Sequence, residues 1–183
     1  MRRTHASILF LGVTLITGVL DCPTKGEGTG SQALTFRAVP ARHLFKLGED
    51  VVMVLSIQNN SPDPIFVSSL RTNDFVDIRV IGPDGREAPW RGTGKIDSRS
   101  YSAPDFTVLT TGKCVRASRT ISFKDGSGFL FERPGPYSVT AEYSLGPPEY
   151  FAPLAGTAKI PRGSFSSAPS TLCIETCNGD LHK

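Results

Sequence analysis

The amino-acid sequence predicts an all-β chain, folded as an antiparallel β-sandwich of about seven strands. Three observations predict it. From Ala33 to Pro161 the hydrophobic residues recur with a period of two, a spacing that gathers them on one face of a strand and scatters them around a helix. Clusters of Gly, Pro, Asn and Asp interrupt the pattern about every 8–12 residues, the rhythm of a sandwich. The 183 residues include 18 Gly and 14 Pro, and no window of about 12 residues joins helical spacing to a cap and a stop.

The strands follow in order. Val51, Met53, Leu55 and Ile57 share one face of the run 50–58. In 75–81, Val76, Ile78 and Val80 face the core while Asp77 and Arg79 face out. Val115, Ala117, Ile121 and Phe123 share a parity that places Cys114 on the opposite face. Tyr137, Val139, Ala141 and Tyr143 alternate with Ser138, Thr140 and Glu142. Tyr137 follows Pro134-Gly-Pro136 at the head of a late strand, the position of a Greek-key tyrosine corner.

The turns between them have mechanisms. Residues 59–64 offer two prolines that fix φ and Asn and Asp side chains that bond to nearby backbone. Gly82-Pro-Asp-Gly85 presets a tight turn whose last glycine takes positive φ. Residues 110–113 and 133–136 repeat the device. After Pro161 the alternation fades into a serine-rich stretch, so 33–161 reads as the sandwich domain and 162–183 as a cysteine-containing tail.

The N-terminus points to export. Arg2 and Arg3 precede an uncharged stretch from Ala6 to Leu20, about 15 residues and too short for a bilayer, which takes about 20. Residues 1–20 thus read as a secretory signal, cleaved near Val19, and 21–32 as a Gly/Thr-rich linker. The expected location is secreted or periplasmic, at the cell envelope, with no transmembrane segment. Asp21 before Cys22 argues against a lipid anchor, which wants a small residue there. Without Arg2 and Arg3, 18 basic residues face 17 acidic ones, which leaves no basic field for nucleic acid.

Four cysteines, Cys22, Cys114, Cys173 and Cys177, fit two disulfides in an oxidising compartment. The favoured pairing ties Cys22 and Cys114 to the two tail cysteines, with a small Cys173–Cys177 loop as the rival. The spacing of Cys173, Cys177 and His182 matches no common zinc pattern.

Catalytic parts are scarce, and the chain is expected to be no enzyme and to need no cofactor or metal. His5 lies in the signal and His182 next to the end, which leaves His43, read as a polar strand-edge residue. No nucleophile turn of the G-x-S-x-G kind and no H-E-x-x-H helix accompanies it. Gly26–Gly30 lacks the strand and helix of a phosphate loop, and Gly92–Lys95 has Pro89 where the first glycine belongs and Ile96 in place of Ser or Thr. Asp125-Gly-Ser-Gly128 supplies one carboxylate, too few for a calcium cage. Asn59-Asn60-Ser61 matches a glycosylation pattern, followed by a discouraging Pro62.

Recognition surface remains. Residues 90–104 carry Trp90, Arg91, Arg99 and Tyr101, residue types that anchor interfaces. The plainer reading has Trp90 finish a strand and plug one end of the core. Gly128–Glu132 similarly reads as a core crossover ahead of a hydrophobic contact.

The order of motifs carries a resemblance. Phe45-Lys-Leu-Gly-Glu-Asp-Val51, a β run and Gln58-Asn-Asn-Ser61 resemble the opening of bacterial immunoglobulin-like modules, including the BsuPI-type proteinase inhibitor domain. Phe75–Gly85, Phe106–Gly112 and Pro134–Ala141 are similar to the sandwich that precedes the catalytic domain in peptidyl-Lys and deuterolysin-like metallopeptidases. The resemblance spans about residues 34–161 and implies an immunoglobulin-like, non-catalytic module, because the chain ends where a zinc peptidase domain would begin. It transfers no site residues. The expectation is an exported binding module with a protein partner, a secreted peptidase that it inhibits or accompanies as a propeptide would. The alternative is a structural or adhesion-type envelope module.

Overall fold

A computed structural model describes residues 19–21, 33–71, 74–92 and 101–175, of which 19–21 are described by backbone alone. Thirteen strands occur among them: β1 (Val19–Asp21), β2 (Leu34–Pro40), β3 (Leu44–Lys46), β4 (Val51–Asn59), β5 (Ile65–Ser68), β6 (Val76–Ile81), β7 (Trp90–Arg91), β8 (Phe106–Leu109), β9 (Lys113–Ser122), β10 (Gly128–Phe129), β11 (Gly135–Tyr143), β12 (Phe165–Ser166) and β13 (Ser170–Glu175). Among the described residues one α-helical turn, α1 (Ala152–Ala155), and two 3-10 turns, Ala103–Asp105 and Pro148–Tyr150, join them. The all-β class stands. Six strands of six residues or more form the frame, and seven short ones complete it.

One sheet, sheet A, runs β2-β4-β9-β10-β7, with β1 alongside β9. In the other, sheet B, β11 lies between β6 on one side and β12 and β13 on the other, and β3 joins β13 in parallel. The chain therefore starts in one sheet at β2 and crosses to the other at β3, an immunoglobulin-like arrangement. Strands β5 and β8 make a separate antiparallel pair.

Alternation works as the sequence requires. Strand β4 buries Val51, Met53, Leu55 and Ile57, and β6 buries Val76, Ile78 and Val80. Strand β11 buries Tyr137, Val139, Ala141 and Tyr143. Each fully buried aliphatic side chain contributes about 1.5–3 kcal/mol through area removed from water. The β9 parity holds through Ile121 and fails at Phe123, which lies past the strand end and is exposed. A register shift between Val51 and Val52 precedes that failure.

The turns form as expected. Gly85 takes φ 76° and its N–H donates to the Gly82 carbonyl at 3.0 Å. Asn59, fully buried, organises the next loop. Its Nδ2 donates to the carbonyls of Asp63 and Leu109 at 2.7 and 2.8 Å, and its Oδ1 accepts from the Ser61 N–H and hydroxyl. Both amide hydrogens are committed, so the folded chain cannot be glycosylated there. Tyr137 makes the Greek-key corner: its hydroxyl donates to the Arg133 carbonyl at 2.8 Å and accepts the Arg133 N–H at 3.2 Å.

The region after Pro161 corrects the sequence reading. Strand β13 pairs with β11 from Gly135↔Ile174 to Val139↔Ser170, and Leu172 and Ile174 are 1% exposed. The sandwich therefore extends through Glu175. Only two apolar side chains, set among Ser, Thr and Cys, carry the inward face of β13, too short an alternation to stand out. The signal residues 1–18 and most of the linker, 22–32, lie outside the described residues. No helix among the described residues is long and apolar enough to cross a membrane.

Candidate interaction surface

Trp90 and Arg91 form β7, the last strand of sheet A, where Trp90 opposes Phe129 and Arg91 opposes Gly128 on β10. The Trp90 ring meets the Phe129 ring edge-on, with centroids 4.9 Å apart. Phe129 is buried, yet Trp90 is 55% exposed, so it lies over the core margin and does not plug it. The physical reason is local. A two-residue edge strand brings no second layer to cover the indole, which instead lies against the Gly92 backbone. A Cβ at Gly92 would fall 2.7 Å from Trp90 Nε1. Arg91 is exposed beside it. Phe129 and Phe131 are buried as a core crossover requires.

Tyr101 belongs to another cluster. Its ring packs against Phe75 at 5.0 Å and against Phe106 and Phe151 at 6.0 Å. Phe66 stacks on Phe106 at 4.9 Å to close the group. Four of these five rings are buried, and Tyr101 is the exposed rim, at 39%. The sequence grouped Trp90 with Tyr101, whereas their rings rest on different partners. Arg99 lies outside the described residues.

Beside Phe75 is a recess of about 400 Å³, lined by Asp74, Phe75, Val76, Asp77, Glu142 and Ser144. Asp77 and Glu142 stand directly opposite each other on β6 and β11, a like-charge pairing that costs stability. Arg119, on the core side of β9, reaches between the sheets and donates from Nη1 to the Val76 carbonyl at 3.1 Å. Burial lowers the basicity of its guanidinium, and Asp74 and Asp77 partly offset that. Alternation puts Asp77 and Glu142 on outer faces, but their register as neighbours is a tertiary fact that the sequence did not reveal.

Tyr143 is fully buried and accepts the Ser68 N–H at 2.9 Å. Burial drives its phenol well above the ordinary tyrosine range. The Ser68 hydroxyl accepts the Leu70 N–H at 3.0 Å, and Leu70 takes φ 59°. Ser69 Oγ between them is buried without a partner.

The cysteines divide. No disulfide joins two described residues. Cys114 is fully buried and disulfide-bonded, with its partner outside them. Cys173 is half-buried and free, which corrects the expectation that both tail cysteines are bridged. It sits within β13, where its N–H donates to the His43 carbonyl at 2.7 Å. Cys22 and Cys177 lie outside the described residues. His43 is exposed just before β3. Asp125 accepts the Ser127 N–H and hydroxyl within the β9–β10 turn, and these bonds hold its carboxyl below the usual range. Arg42 and Glu49 form an exposed ion pair, and Glu49 is held low by Arg42 and the Lys46 N–H.

No family model matches the sequence, and no curated protein matches it. The resemblance to BsuPI-type inhibitors and peptidase sandwich domains therefore finds no match. Among solved structures the fold is similar to the sporulation control protein Spo0M from Bacillus subtilis, with 11% identity over 79% of this chain and 50% of that one and a TM-score of 0.41. It is also similar to the alkylpurine DNA glycosylase AlkC from Pseudomonas fluorescens, with 11% identity, 80% and 31% coverage and a TM-score of 0.37. A third is the seventh ScaB type I cohesin from Pseudobacteroides cellulosolvens, with 9% identity, 81% and 97% coverage and a TM-score of 0.26. The chain spans half or less of the first two proteins. At these values the likeness carries no functional argument.

Proposed function

We propose that this is an exported, non-enzymatic binding module whose partner is a protein, a secreted peptidase, engaged through the Trp90–Arg91 edge of sheet A. The observation that carries the reading is Trp90, 55% exposed on a strand pinned to the core through Phe129. A large aromatic held rigid at low entropy cost, beside an arginine, is the residue pairing that dominates interface energetics. Export rests on the charged start and apolar run of residues 1–20, and the peptidase on the resemblance of 34–161.

The test is inhibition of a panel of serine, cysteine and zinc peptidases by the purified oxidised protein, with intact-mass checks for digestion. Saturable, stoichiometric inhibition of one class is expected. Trp90→Ala should weaken it by about tenfold or more, as hot-spot truncations do. Gly92→Ala should weaken it too, because the new methyl displaces the indole while the fold is kept. No inhibition at tens of micromolar across the panel sinks the peptidase reading and leaves the structural envelope module.

A further inference from the structure

The outer face of sheet A carries a second surface, separate from the Trp90 edge. Its three long strands, β2, β4 and β9, carry no Asp or Glu, and of their basic residues Arg37 and Arg116 face outward while Lys113 and Arg119 share the inward parity of Val115 and Ala117. Register sets the two outward arginines in one row, since Arg37 opposes Ser56 and Ser56 opposes Arg116. Two strand spacings put their Cα atoms about 10 Å apart, so both side chains can converge above the small Ser56. Thr35, Val54 and Gln58 complete a shallow depression of about 120 Å³ around them. Among the described residues neither guanidinium has an ion-pair partner.

We propose that this face docks an acidic segment of a protein partner, with Arg37 and Arg116 sharing one carboxylate above Ser56. Charge complementarity selects the group: two guanidiniums without a counter-ion, beside a hydroxyl and an amide, match the geometry of an oxyanion. The surroundings select a polypeptide. Val39 and Val54 border the arginines, and no aromatic ring stands on the outer face of β2, β4 or β9 to stack a sugar. An acidic residue flanked by apolar ones fits that border.

The experiment is an NMR titration of the full, ¹⁵N-labelled chain at low ionic strength with the capped peptide Val-Thr-Glu-Val-Glu-Thr-Val. The expected shifts fall on amides of β2, β4 and β9 and spare β6 and β11. The glutamine counterpart should bind about tenfold more weakly, since charged hydrogen bonds are the strong ones. Arg37→Ser and Arg116→Ser should each weaken binding about three- to fivefold, and Arg79→Ser, on the other sheet, should leave it unchanged. Both arginines point outward, so unchanged amide shifts elsewhere report that the variants fold, and the peptide comparison needs no variant. Equal binding of the glutamate, glutamine and lysine peptides overturns the proposal. So does tighter binding of an oligogalacturonate of equal charge, which would make the ligand a polysaccharide. Concentration-dependent shifts of the same amides without peptide would make the occupant a second copy, and overturn it too. None of these outcomes depends on Trp90 or on a peptidase.

Discussion

The two sheets are built alike inside and unlike outside. Inward, each is a file of aliphatic and aromatic side chains at every second position, Val51 to Ile57 in sheet A and Val76 to Val80 in sheet B. Outward, sheet A presents Arg37 and Arg116 without an acidic residue on its three long strands. Sheet B presents Asp77 opposite Glu142, with Glu175 on β13, and Arg79 and Lys46 as the basic exceptions. The inner faces answer to the hydrophobic effect, which is indifferent to which apolar residue stands where so long as volume is conserved. The outer faces are free of that constraint, and their opposite charge is where a partner could tell one side of the molecule from the other.

The largest test of the inner likeness is a pair of core truncations. Leu55→Ala in β4 and Leu172→Ala in β13 each empty a site that is 1% exposed. Each should cost about 2–5 kcal/mol by urea denaturation. Equal losses make β13 as integral to sheet B as β4 is to sheet A. A loss below about 1 kcal/mol at Leu172 alone, the range of surface changes, would return the tail to an accessory role.

Next in size is a buried polar contact on the inner side of sheet B. Tyr143 accepts the Ser68 N–H in the dry interior, whereas on β4 the inward residues Val51 to Ile57 are apolar and the polar one, Asn59, comes at the strand end. Tyr143→Phe should cost about 1–3 kcal/mol, because it strands a buried donor, with the near-ultraviolet circular dichroism of the aromatic cluster retained. Tyr137→Phe removes the corner bond to Arg133, which is nearer the surface. It should cost about 1 kcal/mol. If Tyr137→Phe proves the costlier, the corner rather than the interior bond fixes sheet B.

Much of this inner frame was legible in the sequence and little of the outer surface was. Period-two alternation located β4, β6, β9 and β11, and Pro134-Gly-Pro136 announced the Tyr137 corner, because both signals are local and repeated. Strand β13 escaped because two inward residues make no pattern, and Trp90 was misjudged because its exposure depends on what fails to cover β7. The like-charge pair of Asp77 and Glu142, and the row of Arg37, Ser56 and Arg116, arise from register between strands far apart in the chain. Alternation fixes the side each residue faces and leaves its neighbour unspecified.

The smallest expected effect is the sharpest probe of the outer faces. Asp77 and Glu142 are direct cross-strand neighbours of like charge, so Glu142→Gln should stabilise the protein, by about 0.2–1 kcal/mol at low salt. The gain should shrink in 0.5 M salt, where the screening length falls to about 4 Å. On sheet A the corresponding change is Arg116→Ser. Arg37 lies two strands away from Arg116 rather than one, so the relief there should be smaller and of the same sign. A destabilising Glu142→Gln would mean that Glu142 interacts more strongly with Arg119 or Arg79 than it repels Asp77. The acidity of sheet B would then be an internal ion network instead of a surface held ready for a partner.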